Sequence, residues 1–156
     1  MASRKDIYTS VLEAVSLLPA VRTADANGTG VDLRDFPAGG VLLMASIGAP
    51  GITLTTSNKI QFRAEECDDD ATYTPVAAGD LLDHSTSGLL AAGTNGEFGN
   101  AQDGTTGNNG SQIVTAGYRG TKRYVRIVAD FSGTHGTGTP LSAMVLRSQP
   151  NLAPTR

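Results

Sequence analysis

The stretch from Arg123 to Phe131 places Val125, Ile127, Ala129 and Phe131 at every second position. Successive side chains of a strand point to opposite faces, so this period of two predicts a strand with one face in a core. The pattern recurs along the chain. Lys59 to Cys67 sets Ile60, Phe62 and Ala64 against Gln61, Arg63 and Glu65, and Val31 and Leu33 alternate with Asp32 and Arg34. Val41 to Ile47 is a nearly continuous apolar run between Gly39-Gly40 and Gly48, which fits a strand buried on both faces. Tyr73 to Ala77 returns after the acidic turn Asp68-Asp69-Asp70, and Leu141 to Leu146 follows the turn from Gly133 to Pro140. Strands are expected near 31–34, 41–47, 59–67, 73–77, 122–131 and 141–147. Short strands with turn signals between them predict an all-β fold, a β-sandwich or jelly roll.

The two ends read differently. Ile7, Val11, Ala14, Val15 and Leu18 fall at spacings of three and four before Pro19, one apolar face of a short helix over 6–18. A strand over Val15 to Leu18 is the rival reading. Residues 1–20 are expected to form an N-terminal helix or arm, 21–147 the β domain, and 148–156 an extended arm with Pro150 and Pro154. A long Gly/Asn/Thr stretch over 85–111 reads as a loop, and its part from Gly93 to Gly110 offers almost nothing to a core. Loops of that length are uncommon in compact domains unless they bind something, so contacts to another chain are expected there.

Composition narrows the function. Only 17% of the 156 residues are charged and 19 are Gly, a Thr/Ser/Gly-rich surface suited to packing against neighbours. The net charge is −3 and no basic run exceeds two residues, which argues against a sequence-independent grip on nucleic acid. No stretch approaches the ~20 apolar residues of a membrane span. The N-terminal residues make a poor signal peptide, because Asp6 and Glu13 interrupt them. The single cysteine, Cys67, allows no intrachain disulfide.

Catalytic and metal chemistry find little to build on, so no enzyme, metal or cofactor is expected. His84 and His135 lie in loop-like surroundings without a Gly-x-Ser-x-Gly elbow, and carboxylates around Cys67 disfavour its thiolate. Glu65, Glu66, Asp68, Asp69 and Asp70 lack the alternate spacing and glycine of a calcium loop, and a self-bonded hairpin turn is the preferred reading. The glycines from Gly133 to Gly138 lack the Lys-Ser/Thr of a phosphate-binding loop. One basic cluster stands out: Arg119, Lys122, Arg123 and Arg126, with Tyr118 and Tyr124 interleaved. It is either a contact to an acidic protein surface or packaged nucleic acid, or the charged outer face of a strand.

Several blocks carry a resemblance. Val31-Asp32-Leu33-Arg34, the run from Ala64 through Tyr73 to Ala77, Tyr118-Arg119-Gly120-x-Lys122-Arg123-Tyr124-Val125-Arg126, Ser132-Gly133-Thr134 and Asn151-Leu152-Ala153-Pro154 together resemble a family of small structural proteins of tailed bacteriophages. The resemblance implies a non-enzymatic virion component made in the host cytoplasm. A capsid decoration or cement protein on the head surface is the expectation, bound to the major capsid protein and self-associated as a homotrimer. Its partner contacts are expected at the apolar N-terminal face (Ile7, Val11, Val15, Leu18) and the basic cluster (Arg119, Lys122, Arg123, Arg126). A head fibre or spike, a neck or tail accessory protein, and a receptor- or carbohydrate-binding module are the alternatives. The last is disfavoured by the absence of Trp and an aromatic content of 5%.

Overall fold

A computed structural model describes residues 11–36, 40–83, 95–101 and 112–148. They form eleven strands: β1 (Val11–Arg22), β2 (Ala26–Asn27), β3 (Val31–Asp32), β4 (Val41–Ile47), β5 (Lys59–Cys67), β6 (Thr74–Pro75), β7 (Leu81–Asp83), β8 (Glu97–Ala101), β9 (Gln112–Tyr118), β10 (Tyr124–Ser132) and β11 (Thr139–Ser148). A single 3-10 turn, Ala78–Asp80, is the helical content among the described residues. The strands make two antiparallel sheets. One has the order β1-β11-β4-β9-β7; the other has β2-β10-β5-β6, with β3 also on β10 and β8 also on β5.

The expected strands at 41–47 and 59–67 are β4 and β5 to the residue. Their alternation settles which side chains turn inward: Leu43, Ala45, Ile60, Phe62 and Ala64 are fully buried. Val125, Ile127 and Ala129 meet them from β10, and Val145, Ala143 and Leu141 from β11. These side chains from both sheets form one apolar core, so the two sheets pack face to face. Tyr118 closes one end of it, with its hydroxyl donating to Glu66 at 2.5 Å.

Three sequence expectations are corrected. The N-terminal helix is absent over 11–18, because those residues lie in β1, which pairs with β11 from Val11↔Ser148 to Arg22↔Thr139. The helix-like spacing has a different origin: register shifts between Val15 and Leu17, and between Leu17 and Ala20, break the period of two. Pro19 is tolerated because β1 is an edge strand, where a missing N–H leaves no ladder bond unmade. β1 also crosses the expected boundary at residue 20. The expected Val41–Ile47 burial on both faces is the second correction, since Leu42, Met44 and Ser46 remain partly exposed. Third, β8 falls inside the expected 85–111 loop and sends Phe98 into the core against Phe62. Gly99 lies under Val114, where a Cβ would approach its side chain to 2.6 Å. Residues 85–94 and 102–111 of that loop, residues 1–10 and the C-terminal arm beyond Ser148 lie outside the described residues.

Ser16 ties the edge of one sheet to the other. Its buried hydroxyl accepts from the Ile127 N–H at 2.9 Å and donates to the Thr29 carbonyl at 3.1 Å, while its own carbonyl accepts from Thr29 N–H. The approach is close enough that a Cβ at Gly28 would stand 2.2 Å from Ser16 Oγ. Ser16→Ala should therefore strand the buried Ile127 N–H and cost about 1–3 kcal/mol. Urea unfolding of the variant checks this; an unchanged midpoint would refute the tie.

Candidate interaction surfaces

The basic cluster of the sequence does not assemble into one patch. Strand alternation sends Arg126 to the outer face of β10, where it donates to Glu65 at 2.6 and 2.8 Å and stacks over the Tyr73 ring at 4.0 Å. Arg119 leaves the end of β9 and donates to the Gly79 carbonyl at 2.8 Å. Lys122 and Arg123 stay together in the β9–β10 connection. Lys122 pairs with Asp68 at 2.5 Å, and Arg123 pairs with Asp32 at 3.0 Å. All four cations are thus engaged within the chain.

Lys122 and Arg123 line a cleft of about 380 Å³ at one end of the molecule, with Leu33, Phe36 and Tyr118 on its apolar side. Its charges are compensated. Asp32 accepts from both Arg123 and Arg34, and the Arg123 bond foremost holds its carboxyl far below the ordinary value of 3.8. The Lys122 bond likewise lowers Asp68, and Asp68 in return raises Lys122. At the floor, burial first and the Glu66 bond second push the Tyr118 phenol well above its usual range. Gly120 lies over this pair, where a Cβ would meet Tyr118 Oη at 2.4 Å and Glu66 Oε2 at 2.6 Å. The acidic turn also bonds to its own chain: Asp69 accepts from the Ala71 and Thr72 N–H groups, and Asp70 accepts from the Tyr73 hydroxyl. Cys67 is buried and free, and His135 is buried with its ring edge-to-face on Phe131. His84 lies outside the described residues. Among the described residues, no group of three His, Cys, Asp or Glu side chains is placed to hold a metal ion, and no helix is long and apolar enough to cross a membrane.

The two outer faces contrast sharply. That of the β2-β10-β5-β6 sheet is an ionic lattice: Arg126 with Glu65, Arg63 with Asp130, and Gln61 donating to Glu97 at 2.7 Å. Its central pair is only 20% and 18% exposed, sheltered by Tyr73 and neighbouring stems. The other sheet presents apolar rows set by its register. Val15, Met144, Met44 and Thr115 stand side by side in one row, and Glu13, Leu146, Leu42, Gly117 and Leu82 in the next. Ser142, Ser46 and Ile113 make a third. Glu13, at the margin, is the one charge among these positions. Along the β1 edge Val15, Leu18 and Val21 are 48%, 69% and 66% exposed.

Of the expected apolar contacts, Val15 and Leu18 therefore do face outward, and Val11 borders a groove of about 360 Å³ beside Leu42 and Leu146. Ile7 lies outside the described residues. The outward Leu42, Met44, Leu82, Ile113, Met144 and Leu146 were not anticipated. For Leu42, Met44, Met144 and Leu146 the signal was present in the apolar residues of 41–47 and 141–147, but a continuous run cannot show which face meets a core. No family model, curated protein or solved structure matches the chain.

The Asp32 cluster generates a pH prediction. A carboxyl whose folded value is depressed contributes stability above its ordinary value, and that contribution is lost as the pH falls from there toward the folded value. Acidification below about pH 4 should destabilise the protein, and Asp32→Asn should flatten that limb of the stability curve. Chemical denaturation at a series of pH values measures both; equal slopes in variant and parent would refute the assignment.

Proposed function

We propose that this chain is a non-enzymatic structural component of a tailed-phage virion, a capsid decoration or cement protein that binds between major capsid protein subunits on the head. The observation that carries the reading is the contrast between the two outer faces. A charged, internally paired face is ready for water, whereas an apolar face with one marginal charge is complete only when covered. Soluble monomers rarely leave such a face bare, so the molecule reads as a part of an assembly.

The chain path supports a jelly roll as the finer fold. The order β1-β11-β4-β9 in one sheet, with β2 and β3 beside β10, then β5 and its partners in the other, is compatible with two interleaved Greek keys. Viral capsid domains use this arrangement repeatedly. The resemblance of the Tyr118–Arg126 block to small phage structural proteins points the same way, and so does the low charge of the whole chain. Homotrimers on the head surface would repeat each modest contact by symmetry, so that binding strength comes from linkage of weak sites.

Quantitative mass spectrometry of purified particles tests the proposal. A decoration protein should be present at hundreds of copies per particle. Its addition to stripped heads should also raise their thermal stability. A handful of copies would reassign the chain to a neck, fibre or spike, and absence from particles would end the virion reading.

A further inference from the structure

The apolar outer face raises the question of what covers it. We propose that the outer face of the β1-β11-β4-β9-β7 sheet is buried against a second copy of this chain, sheet on sheet. The inference rests on the reading of the chain as an assembly component and adds to it the partner of one defined surface.

Charge is the first argument. Interfaces between partners made and folded separately are about as polar as ordinary surface, whereas contacts between copies of one chain are more apolar and lose charges at their centre. Here the centre is Leu42, Met44, Met144 and Leu146, and Glu13 is at the margin. A capsid-docking face would have to remain in water until a head was available, and this one carries little to keep it there. A second copy is present as soon as the chain is made.

Size is the second argument. At ~4.8 Å spacing and ~3.4 Å rise, four strands of at least seven residues and the three residues of β7 cover roughly 500 Å² in projection. Two such faces total about 1,000 Å², which reaches the ~1,000 Å² that a specific interface requires.

Shape is the third. Larger side chains at the centre are flanked by small ones at Ser46, Thr115, Gly117 and Ser142, so two copies of the face offer one another both projections and hollows. The groove beside Leu42 and Leu146 is one such hollow. Leu82 lies across Gly117, its Cβ 3.1 Å from where a glycine Cβ would stand, which keeps that flank flat.

Pairing by strand addition along β1 is the obvious rival, and β1 is ill-suited to it. Two register shifts and Pro19 break its free edge, and the Ser16 carbonyl is already taken by the Thr29 N–H. Copies would therefore meet through faces rather than edges.

The test uses the full chain free of any particle. Sedimentation equilibrium should return the mass of an even number of copies, because each face is used up by one other. Peroxide oxidation of Met44 and Met144, followed by peptide mass spectrometry, should slow at least about fivefold as concentration rises through the association range. Met44→Glu should weaken association by about 100-fold or more, the scale of a substitution at an interface centre, and keep a β-type circular-dichroism spectrum. Thr56→Glu, on an exposed turn, should leave the mass unchanged. A monomer at tens of micromolar would overturn the inference, as would an oligomer that survives Met44→Glu. Methionine protection that is independent of concentration would overturn it too, since the chain itself would then cover the face. If Met44→Glu fails to fold, oxidation of the unaltered chain decides. A monomer found at high copy on heads would sink this inference and leave the virion reading standing; an oligomer absent from particles would do the reverse.

Discussion

Everything in this structure waits on the insertion of β11. The C-terminal strand runs between β1 and β4, paired to Val11–Arg22 on one side and to Val41–Ile47 on the other. Until it arrives, β1 has no sheet to join, and Leu141, Ala143 and Val145 are missing from the middle of the core. The first and last described strands are thereby neighbours, and the fold cannot close in stages from its N-terminus. The same non-local logic governs the second sheet, where β10 pairs with β5 over nine residues after a long separation in sequence. Such topologies are slow to form, because the chain loses loop entropy before the contacts that compensate it exist.

A fold closed this way needs its sheets locked to one another at the open edge, and polar groups do that work beside the apolar core. Ser16 reaches from β1 to Ile127 on β10, and Tyr118 reaches from β9 to Glu66 on β5. Both are buried, so each half-made bond would leave a donor or acceptor dry. At the surface the same rule appears in reverse. The cations Arg63, Lys122, Arg123 and Arg126 each have a carboxylate partner, which turns an apparent basic patch into a mostly neutral lattice.

The functional reading follows from how unevenly these groups are distributed. The ion pairs crowd onto one sheet and around one cleft, while the opposite sheet shows methionine, leucine and valine to the outside. A monomer gains nothing from that division. An assembly does, because one face can stay in water while the other is covered. The proposed packing of copy on copy and the proposed place on a virion head are two levels of the same economy of surface.

Sequence by itself determined the class of fold, and did so at particular residues. The glycine-bounded apolar run at 41–47 and the alternation at 59–67 located β4 and β5 to the residue, and alternation at 122–131 located most of β10, because run length, bounding glycines and a period of two are local properties of the chain. Tertiary structure decided the rest. The 11–22 segment carries helix-like spacing and becomes a strand only because β11 offers it an edge and two register shifts absorb the mismatch. Phe98 enters the core from a stretch of glycine and asparagine because Phe62 and β5 lie beneath it. Arg119, Lys122, Arg123 and Arg126 are neighbours in sequence but find separate partners, since their carbonyls and carboxylates come from distant strands. Which face of the Val41–Ile47 run meets the core was likewise undecidable from the run itself: an apolar side chain is the same in either direction, and only the second sheet distinguishes inside from outside.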